Sequence, residues 1–352
     1  MNDSRKVLVT GAAGFIGSQL VRSIMEQTSW HVTGYDALTY AGRRENLTDF
    51  DQDRRFQLIH ANICDSRAVA EAFQAVRPDL VFHLAAESHV DRSIDSAADF
   101  INTNVLGTQI LLDEVRRYAG TSHAFRFVHI STDEVFGDLQ SEDPPFTEKS
   151  SYRPSSPYAA SKAASDHLVR AAHRTHKLPT LISNCSNNYG PRQFPEKLIP
   201  LTILKLLSGQ PMTLYGDGQN RRDWLHVEDH ANALIRIADS GQVGETYCVG
   251  GGHEVSNLEI VQAIHSEMVA MGVAPIQTFE DAIVFVTDRP GHDWRYAINS
   301  QKIQDELGWT PARDIKAGLR ATIEWYLHHE AWWQEIRAST YHGQRLGLGP
   351  KR

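Results

Sequence analysis

Cysteine is scarce. There are three in 352 residues, Cys64, Cys185 and Cys248, far apart and without a CxxC pair, which excludes a disulfide framework and a zinc knuckle. All three read as buried small hydrophobes. Long apolar runs are also missing: the longest, Leu198 to Leu207, is broken by Lys205 and is about half the ~20 residues a membrane span needs. No basic excess exists either. The balance of 35 Lys and Arg against 43 Asp and Glu leaves a formal charge of -8, which excludes a nucleic-acid-binding face while leaving a few local arginines free to hold a small anion. Low-complexity linkers and internal repeats are absent. The N-terminus reaches a polar-flanked strand, Lys6 to Thr10, within a few residues, so no signal peptide is expected and the expected address is cytoplasmic. Seventeen histidines carry no HExxH pattern, and His167, His173, His176, His328 and His329 read as solvated helix faces, so no metal site is expected.

What is present is an ordinary globular balance, 41% hydrophobic and 22% charged, which excludes wholesale disorder. At about 150 residues per domain the length predicts two compact units, or one large domain with an appendage. Short β-branched or aromatic runs (Val7-Val9, His31-Tyr35, Phe56-His60, Leu80-Leu84, Phe125-Ile130, Thr180-Ser183) alternate with helix-length segments. Such alternation predicts an α/β, doubly wound, mostly parallel sheet covered by helices on both faces, and nearly continuous apolar strands fit a sheet buried on both sides. Beyond about Gly190 loops lengthen and strands scatter, which predicts a smaller C-terminal α+β lobe. The expected division is a dinucleotide-binding domain over 1–190, to which segments around 220–250 return, a substrate lobe over 191–330, and a fraying tail over 331–352. Ile315, Leu319, Ile323 and Leu327 fall on one helix face.

In Val7-Leu8-Val9-Thr10-Gly11-Ala12-Ala13-Gly14-Phe15-Ile16-Gly17, three glycines three apart stand between a strand and a helix beginning near Phe15. Glycine permits the tight turn and lets backbone approach a pyrophosphate, whose charge the helix N-terminus favours. The next strand ends at Asp36, nineteen residues beyond Gly17, where a carboxylate accepts from the adenosine ribose and repels a 2′-phosphate, favouring NAD over NADP. Arg43 and Arg44 weigh the other way, since an arginine there receives a 2′-phosphate. Asn62-Ile63 and Leu84-Ala85-Ala86 follow the third and fourth strands, at the carboxyl-end crevice where doubly wound sheets hold ligands.

Tyr158 and Lys162 lie four apart in Ser156-Pro157-Tyr158-Ala159-Ala160-Ser161-Lys162, hence on one helix face, with Pro157 suited to a first turn. A neighbouring ammonium is expected to lower the phenol's pKa so that it takes a proton from a sugar hydroxyl. Many surface helices carry such a pair; here the preceding strand runs into Ser131-Thr132-Asp133-Glu134, on the same rim as the dinucleotide crevice. A carboxylate pair supplies one acid and one base when its environments differ. Hydride transfer alone has no need of such a pair; an elimination does.

These segments, together with Asp36-Ala37-Leu38-Thr39-Tyr40-Ala41-Gly42, Glu87-Ser88-His89-Val90-Asp91-Arg92-Ser93, Asn184-Cys185-Ser186-Asn187-Asn188-Tyr189-Gly190-Pro191, Arg222-Asp223-Trp224-Leu225 and Asp288-Arg289-Pro290-Gly291-His292-Asp293, resemble the extended short-chain dehydrogenase/reductases, and within them the dTDP-glucose 4,6-dehydratases, over residues 6–330. The resemblance implies a Rossmann fold and NAD contacts from Gly11, Gly14, Phe15, Ile16, Gly17, Asp36, Ala37, Leu38, Thr39, Asn62, Ile63, Leu84, Ala85, Ala86, Ser88, Thr103, Tyr158, Lys162 and Asn188. It implies that Tyr158, helped by Lys162 and Thr132, removes the C4 hydroxyl proton of dTDP-glucose as hydride passes to NAD. Glu134 then takes the C5 proton, Asp133 protonates the departing C6 hydroxyl, and hydride returns to C6. Substrate contacts implied are Ser88, Thr132, Asn187, Lys197, Leu198, Thr213, Tyr215, Arg222, Asn257, Arg289 and His292, the two arginines matching phosphate oxygens. A homodimer is implied, packing the helix after Ser96 and the helix bearing Tyr158 against their mates. Three departures from the pattern stand out: Asn62 for Asp, Arg43 for Asn, and Arg192 for an aromatic beside the substrate.

Alternatives on the same fold are a dehydratase acting on UDP-glucose, and a C4 epimerase or decarboxylase, for which oxidation at C4 suffices. A non-catalytic NAD-sensing module would keep the glycine-rich turn but not Tyr158, Lys162 and both carboxylates.

Overall fold

The computed structural model describes residues 4–119, 125–275 and 278–341. Its strands are β1 (Lys6–Thr10), β2 (His31–Asp36), β3 (Phe56–His60), β4 (Leu80–His83), β5 (Arg126–Thr132), β6 (Thr180–Cys185), β7 (Asn187–Tyr189), β8 (Met212–Tyr215), β9 (Arg221–His226), β10 (Thr246–Val249), β11 (Glu254–Ser256) and β12 (Ile283–Val286). Seven of them form one sheet in the order β10-β6-β5-β4-β1-β2-β3, parallel throughout. The order reverses between β1 and β4, and that switch point is where a doubly wound sheet opens a ligand crevice.

The helices are α1 (Phe15–Gln27), α2 (Ser66–Val76), α3 (Val90–Asp95), α4 (Ala97–Phe100), α5 (Thr108–Ala119), α6 (Pro157–His176), α7 (Leu198–Leu207), α8 (Val227–Ser240), α9 (Asn257–Ala270), α10 (Gln301–Leu307), α11 (Ile315–His328) and α12 (Glu330–Ser339). Alternation along each strand divides the core. Val7, Val9, Phe82 and Val128 pack with Leu20 and Ile24 of α1 and Leu234 and Ile237 of α8. Leu8, Val81 and Phe127 turn the other way, onto Phe73 of α2, Leu111 of α5 and Val169 of α6. Thus α8 and β10, from late in the chain, complete the first sheet and its cover.

The remaining strands make two small sheets, β11-β9-β7 and β12-β8. They share a second core in which Ile203 and Leu206 of α7, Ile260 and Ile264 of α9, and Leu319 and Ile323 of α11 meet. Of the expected tail, 331–352, residues 342–352 lie outside the described residues, and 331–339 are helical rather than irregular. Helix α12 buries Trp333 and Ile336, one turn apart, and the Trp333 indole donates to the Tyr326 carbonyl at 2.9 Å. One helical repeat among glutamates and an arginine was too short a signal to read as periodicity. No helix of the described residues is long and apolar enough to cross a membrane.

Candidate active site

The carboxyl ends of β1, β2, β4, β5 and β6 open into one cavity of about 320 Å3. At its first end the chain leaves β1 through Gly11, whose φ of +71° is the left-handed region that favours glycine. A Cβ there would stand 2.7 Å from the Ala85 nitrogen, and a Cβ on Gly17 would stand 2.0 Å from the Gly11 oxygen. These two positions admit nothing larger. Helix α1 begins with no side-chain cap and no acidic residue in its first turn, so its N-terminal amides face the cavity unopposed and suit an anion. Asp36 closes the floor: its Oδ2 accepts from Ala13 N at 2.9 Å and its Oδ1 from Leu38 N at 2.8 Å. Burial pushes this carboxyl up, against those two hydrogen bonds.

The other end holds the reactive groups. Strand β5 delivers Thr132, Asp133 and Glu134 to the wall; Ser156 caps α6, Pro157 opens it, and Tyr158 and Lys162 project from its first turns into the same space. Lys162 Nζ donates to the Ile130 carbonyl at 2.8 Å, and burial pushes the ammonium down to about 8. Asp133 is 1% exposed, and its Oδ2 has no partner. Burial, then the Glu134 and Asp223 charges, drive its pKa far above the carboxylate range. Glu134 is also raised by burial, but Arg289, Lys197 and Arg222 pull it back. Both carboxyls are raised, but Asp133 much further, so of the adjacent pair Glu134 is the one held closer to its ionised form.

The family model described as GDP-mannose 4,6 dehydratase matches residues 8–322. The dTDP-glucose 4,6-dehydratases of Escherichia coli and Neisseria meningitidis are each 52% identical, over 97% and 98% of this chain and 99% of their own lengths. The chain belongs to the dTDP-glucose 4,6-dehydratase family. Among solved structures, the DesIV dTDP-glucose 4,6-dehydratase of Streptomyces venezuelae with NAD and TYD bound is 42% identical with a TM-score of 0.87, covering 94% of this chain and 99% of that one. UDP-glucose 4-epimerase of Thermotoga maritima, at 26% identity, 92% and 98% coverage and a TM-score of 0.81, shares the fold at greater distance.

Every residue expected at the dinucleotide lines the cavity except Leu38. Leu38 has a φ of +49° and contributes its backbone amide to Asp36 instead. Of the expected substrate contacts, Ser88, Thr132, Asn187 and Lys197 line the cavity; seven lie outside its wall. Tyr215 and Arg289 both engage Asp91, and His292 engages Asp288 at 2.7 Å. Arg222 is buried over the Tyr296 ring at 4.4 Å and donates to the Arg221, Asp293 and Trp294 carbonyls. Leu198 opens α7 beside Lys197, Asn257 opens α9, and Thr213, exposed on β8, accepts from Lys205. Of these, Tyr215, Arg222, Arg289 and His292 neighbour one another as a shelf, with Arg222 and Arg289 near enough to bias Glu134.

Several readings need correcting. The Tyr158 phenol is driven up, because burial together with the Glu134, Cys185 and Asp133 charges outweighs the favourable Thr132 hydroxyl contact; one of the three Lys162 ammonium donors goes to the Ile130 carbonyl. Cys64 is half-buried, its thiol donating to the Asn102 carbonyl. Arg44 pairs with Asp51, and Arg43 with Glu45 and Glu335, so both guanidiniums are engaged. Arg192 lies outside the cavity wall and over the Trp325 ring at 5.5 Å. Asn62 spends its Oδ1 on the Cys64 amide at 2.9 Å, leaving its Nδ2 for the cavity.

Some of the wall went unread. Cys185, Ser186, Gln193, Phe194 and Glu196 line it; all but Gln193 fall in segments that carry the family resemblance, but none was assigned a contact. Beneath Ser131 and Lys162 lies a buried pair, His129 and Asp166 at 3.2 Å. Asp166 also accepts from Ser131, Tyr152 and Asn184, pinning the segment that carries Thr132 to α6.

Proposed function

We propose that the protein is an NAD-dependent dTDP-glucose 4,6-dehydratase, forming dTDP-4-keto-6-deoxyglucose. The observation that carries this reading is the split between Asp133 and Glu134 in the cavity that also holds Tyr158 and Lys162. The glycine turn, the open α1 N-terminus and Asp36 fit a dinucleotide whose ribose bears free hydroxyls. When bound, NAD+ would accept the hydride from C4 and return it to C6.

Tyr158 Oη takes the proton of the C4 hydroxyl. Its raised pKa makes the phenolate a strong base, and the Thr132 hydroxyl steadies that phenolate. Glu134, held toward the carboxylate by Arg289, Lys197 and Arg222, takes the C5 proton that the neighbouring ketone has acidified. Asp133, kept protonated, gives its proton to the departing C6 oxygen, which leaves as water. Glu134 holds its acquired proton ready for C5. Lys197, Arg222 and Arg289 bind the nucleotide pyrophosphate. Elimination needs both carboxyl roles at once; epimerisation at C4 needs neither, and no other observation favours it.

The reading extends to a cytoplasmic homodimer. Free thiols at Cys64, Cys185 and Cys248 suit a reducing compartment. Ile101 and Leu106, each 50% exposed beside α6, are apolar groups suited to meeting a second copy.

Incubation with dTDP-glucose is expected to raise the alkali-induced absorbance of a 4-keto-6-deoxy product. Absence of product from dTDP-, UDP- and CDP-glucose alike would overturn the reading.

A further inference from the structure

A chain of contacts reaches the glycine-rich turn from the far end of the sequence. The Trp332 indole of α12 donates to Asn46 Oδ1 at 3.0 Å, and Asn46 Nδ2 donates to the Ala13 carbonyl at 2.8 Å. Asn46 is 3% exposed. The same carbonyl accepts from Arg43 N at 3.0 Å, while Ala13 N donates to Asp36. Every polar atom of the Ala13 residue is therefore engaged, and the orientation of the Asn46 amide is set by an indole that can only donate. One turn along α12, Glu335 pairs with Arg43 at 2.8 Å; Glu45 holds the same guanidinium at 3.2 Å. Arg43 follows Gly42, where a Cβ would stand 2.6 Å from Asp36 Oδ1. Arg43 thus stands one residue beyond a glycine packed on that carboxylate, a neighbourhood in which an arginine can meet a 2′-phosphate, and here its guanidinium is held by two glutamates.

We propose that α12 tunes the dinucleotide site, with Trp332 a positioning residue that fixes the glycine-rich turn through Asn46, and Glu335 a specificity residue that withholds Arg43 from a 2′-phosphate. The inference rests on the reading of the cavity as an NAD site. Helix α12 is anchored independently of both contacts, by the Trp333 hydrogen bond to Tyr326 and by fully buried Ile336. The Trp332 ring also packs edge-on against Trp325 of α11 at 5.0 Å, a contact that a phenylalanine ring keeps in part, so the indole donor is what its replacement removes.

The test titrates the full-length chain, cleared of bound nucleotide, with NAD+ and NADP+ separately. Trp332→Phe, which keeps an aromatic ring but loses the donor, is expected to weaken both dinucleotides by roughly five-fold. Asn46→Ala should reproduce that loss, and the double variant should be no worse than Asn46→Ala alone, because both act through one relay. Glu45→Gln/Glu335→Gln is expected to shift the NADP+ to NAD+ affinity ratio by roughly three- to five-fold toward NADP+. A merely structural helix would lower both affinities together and leave that ratio alone. Unchanged NAD+ affinity in Trp332→Phe, or an unchanged ratio in the double glutamine variant, overturns the proposal. A wild-type chain that binds neither dinucleotide overturns it together with the reading beneath it, whereas wild-type binding with indifferent variants overturns it alone.

Discussion

Asp133 and Glu134 are consecutive buried residues held unequally: both are raised by burial, but Asp133 also faces the Glu134 and Asp223 charges with an unpartnered oxygen, whereas Arg289, Lys197 and Arg222 pull Glu134 back. The first is an acid and the second a base. Asp133→Asn and Glu134→Gln are each expected to lower turnover by roughly 10²–10⁴, and the double variant to lose little more than the worse single, since both groups serve one elimination. The limbs of the pH profile separate them. Activity falls with rising pH as Asp133 loses its proton and with falling pH as Glu134 gains one; residual activity in Asp133→Asn loses the alkaline limb and that in Glu134→Gln the acid limb. Retained turnover in either single variant contradicts the assignment.

Tyr158 is 8% exposed and reaches the cavity beside Thr132. Tyr158→Phe removes the proton acceptor and is expected to cut turnover by roughly 10²–10⁴ with NAD+ affinity changed less than about threefold, because the glycine turn and Asp36 are untouched. Parallel titration and turnover assays check this; a loss of affinity without loss of turnover would reverse the roles.

Burial pushes His230 down to about 3, and His129 to about 4 even against the Asp166 attraction. Their folded pKa values lie below the ordinary 6.5, so between pH 6.5 and 4 the unfolded chain binds protons that the folded one cannot. Stability is complete above that window and is lost as pH falls through it, by up to about 1.4 kcal/mol per pH unit for each such histidine. Urea unfolding at about pH 7 and about pH 5 should show the loss, and His230→Asn should make it smaller; an identical loss in the variant contradicts the assignment.

Ile101 and Leu106 stand 50% exposed next to α6. Ile101→Asp/Leu106→Asp would bury two charges in the proposed dimer contact, and sedimentation should then find monomers where the wild type gives dimers. A dimeric variant would place the contact elsewhere.

The first lobe was legible because its central strands β1, β4 and β5 are buried on both faces and rich in apolar residues, and because Gly11, Gly17 and Asp36 sit where the turn's geometry tolerates little else. The Tyr158 and Lys162 spacing gave their shared helix face in the same way. The direction of the Tyr158 shift was not legible, since it depends on burial and on two carboxyls brought in by another strand. The shelf bearing Tyr215, Arg222 and Arg289 comes from β8, β9 and a loop, joined only by tertiary packing. Helix α12 escaped notice for a related reason: it is short, and much of its burial lies against α11 and the Tyr40–Ala41 loop.

The most direct measurement uses dTDP-glucose carrying deuterium at C4 and follows the label by NMR. The account predicts a 4-keto-6-deoxy product with the deuterium on C6, because the hydrogen removed at C4 is returned after water departs between C5 and C6. Deuterium recovered at C4 of an epimerised hexose, or a 4-keto product with no label on C6, would contradict it.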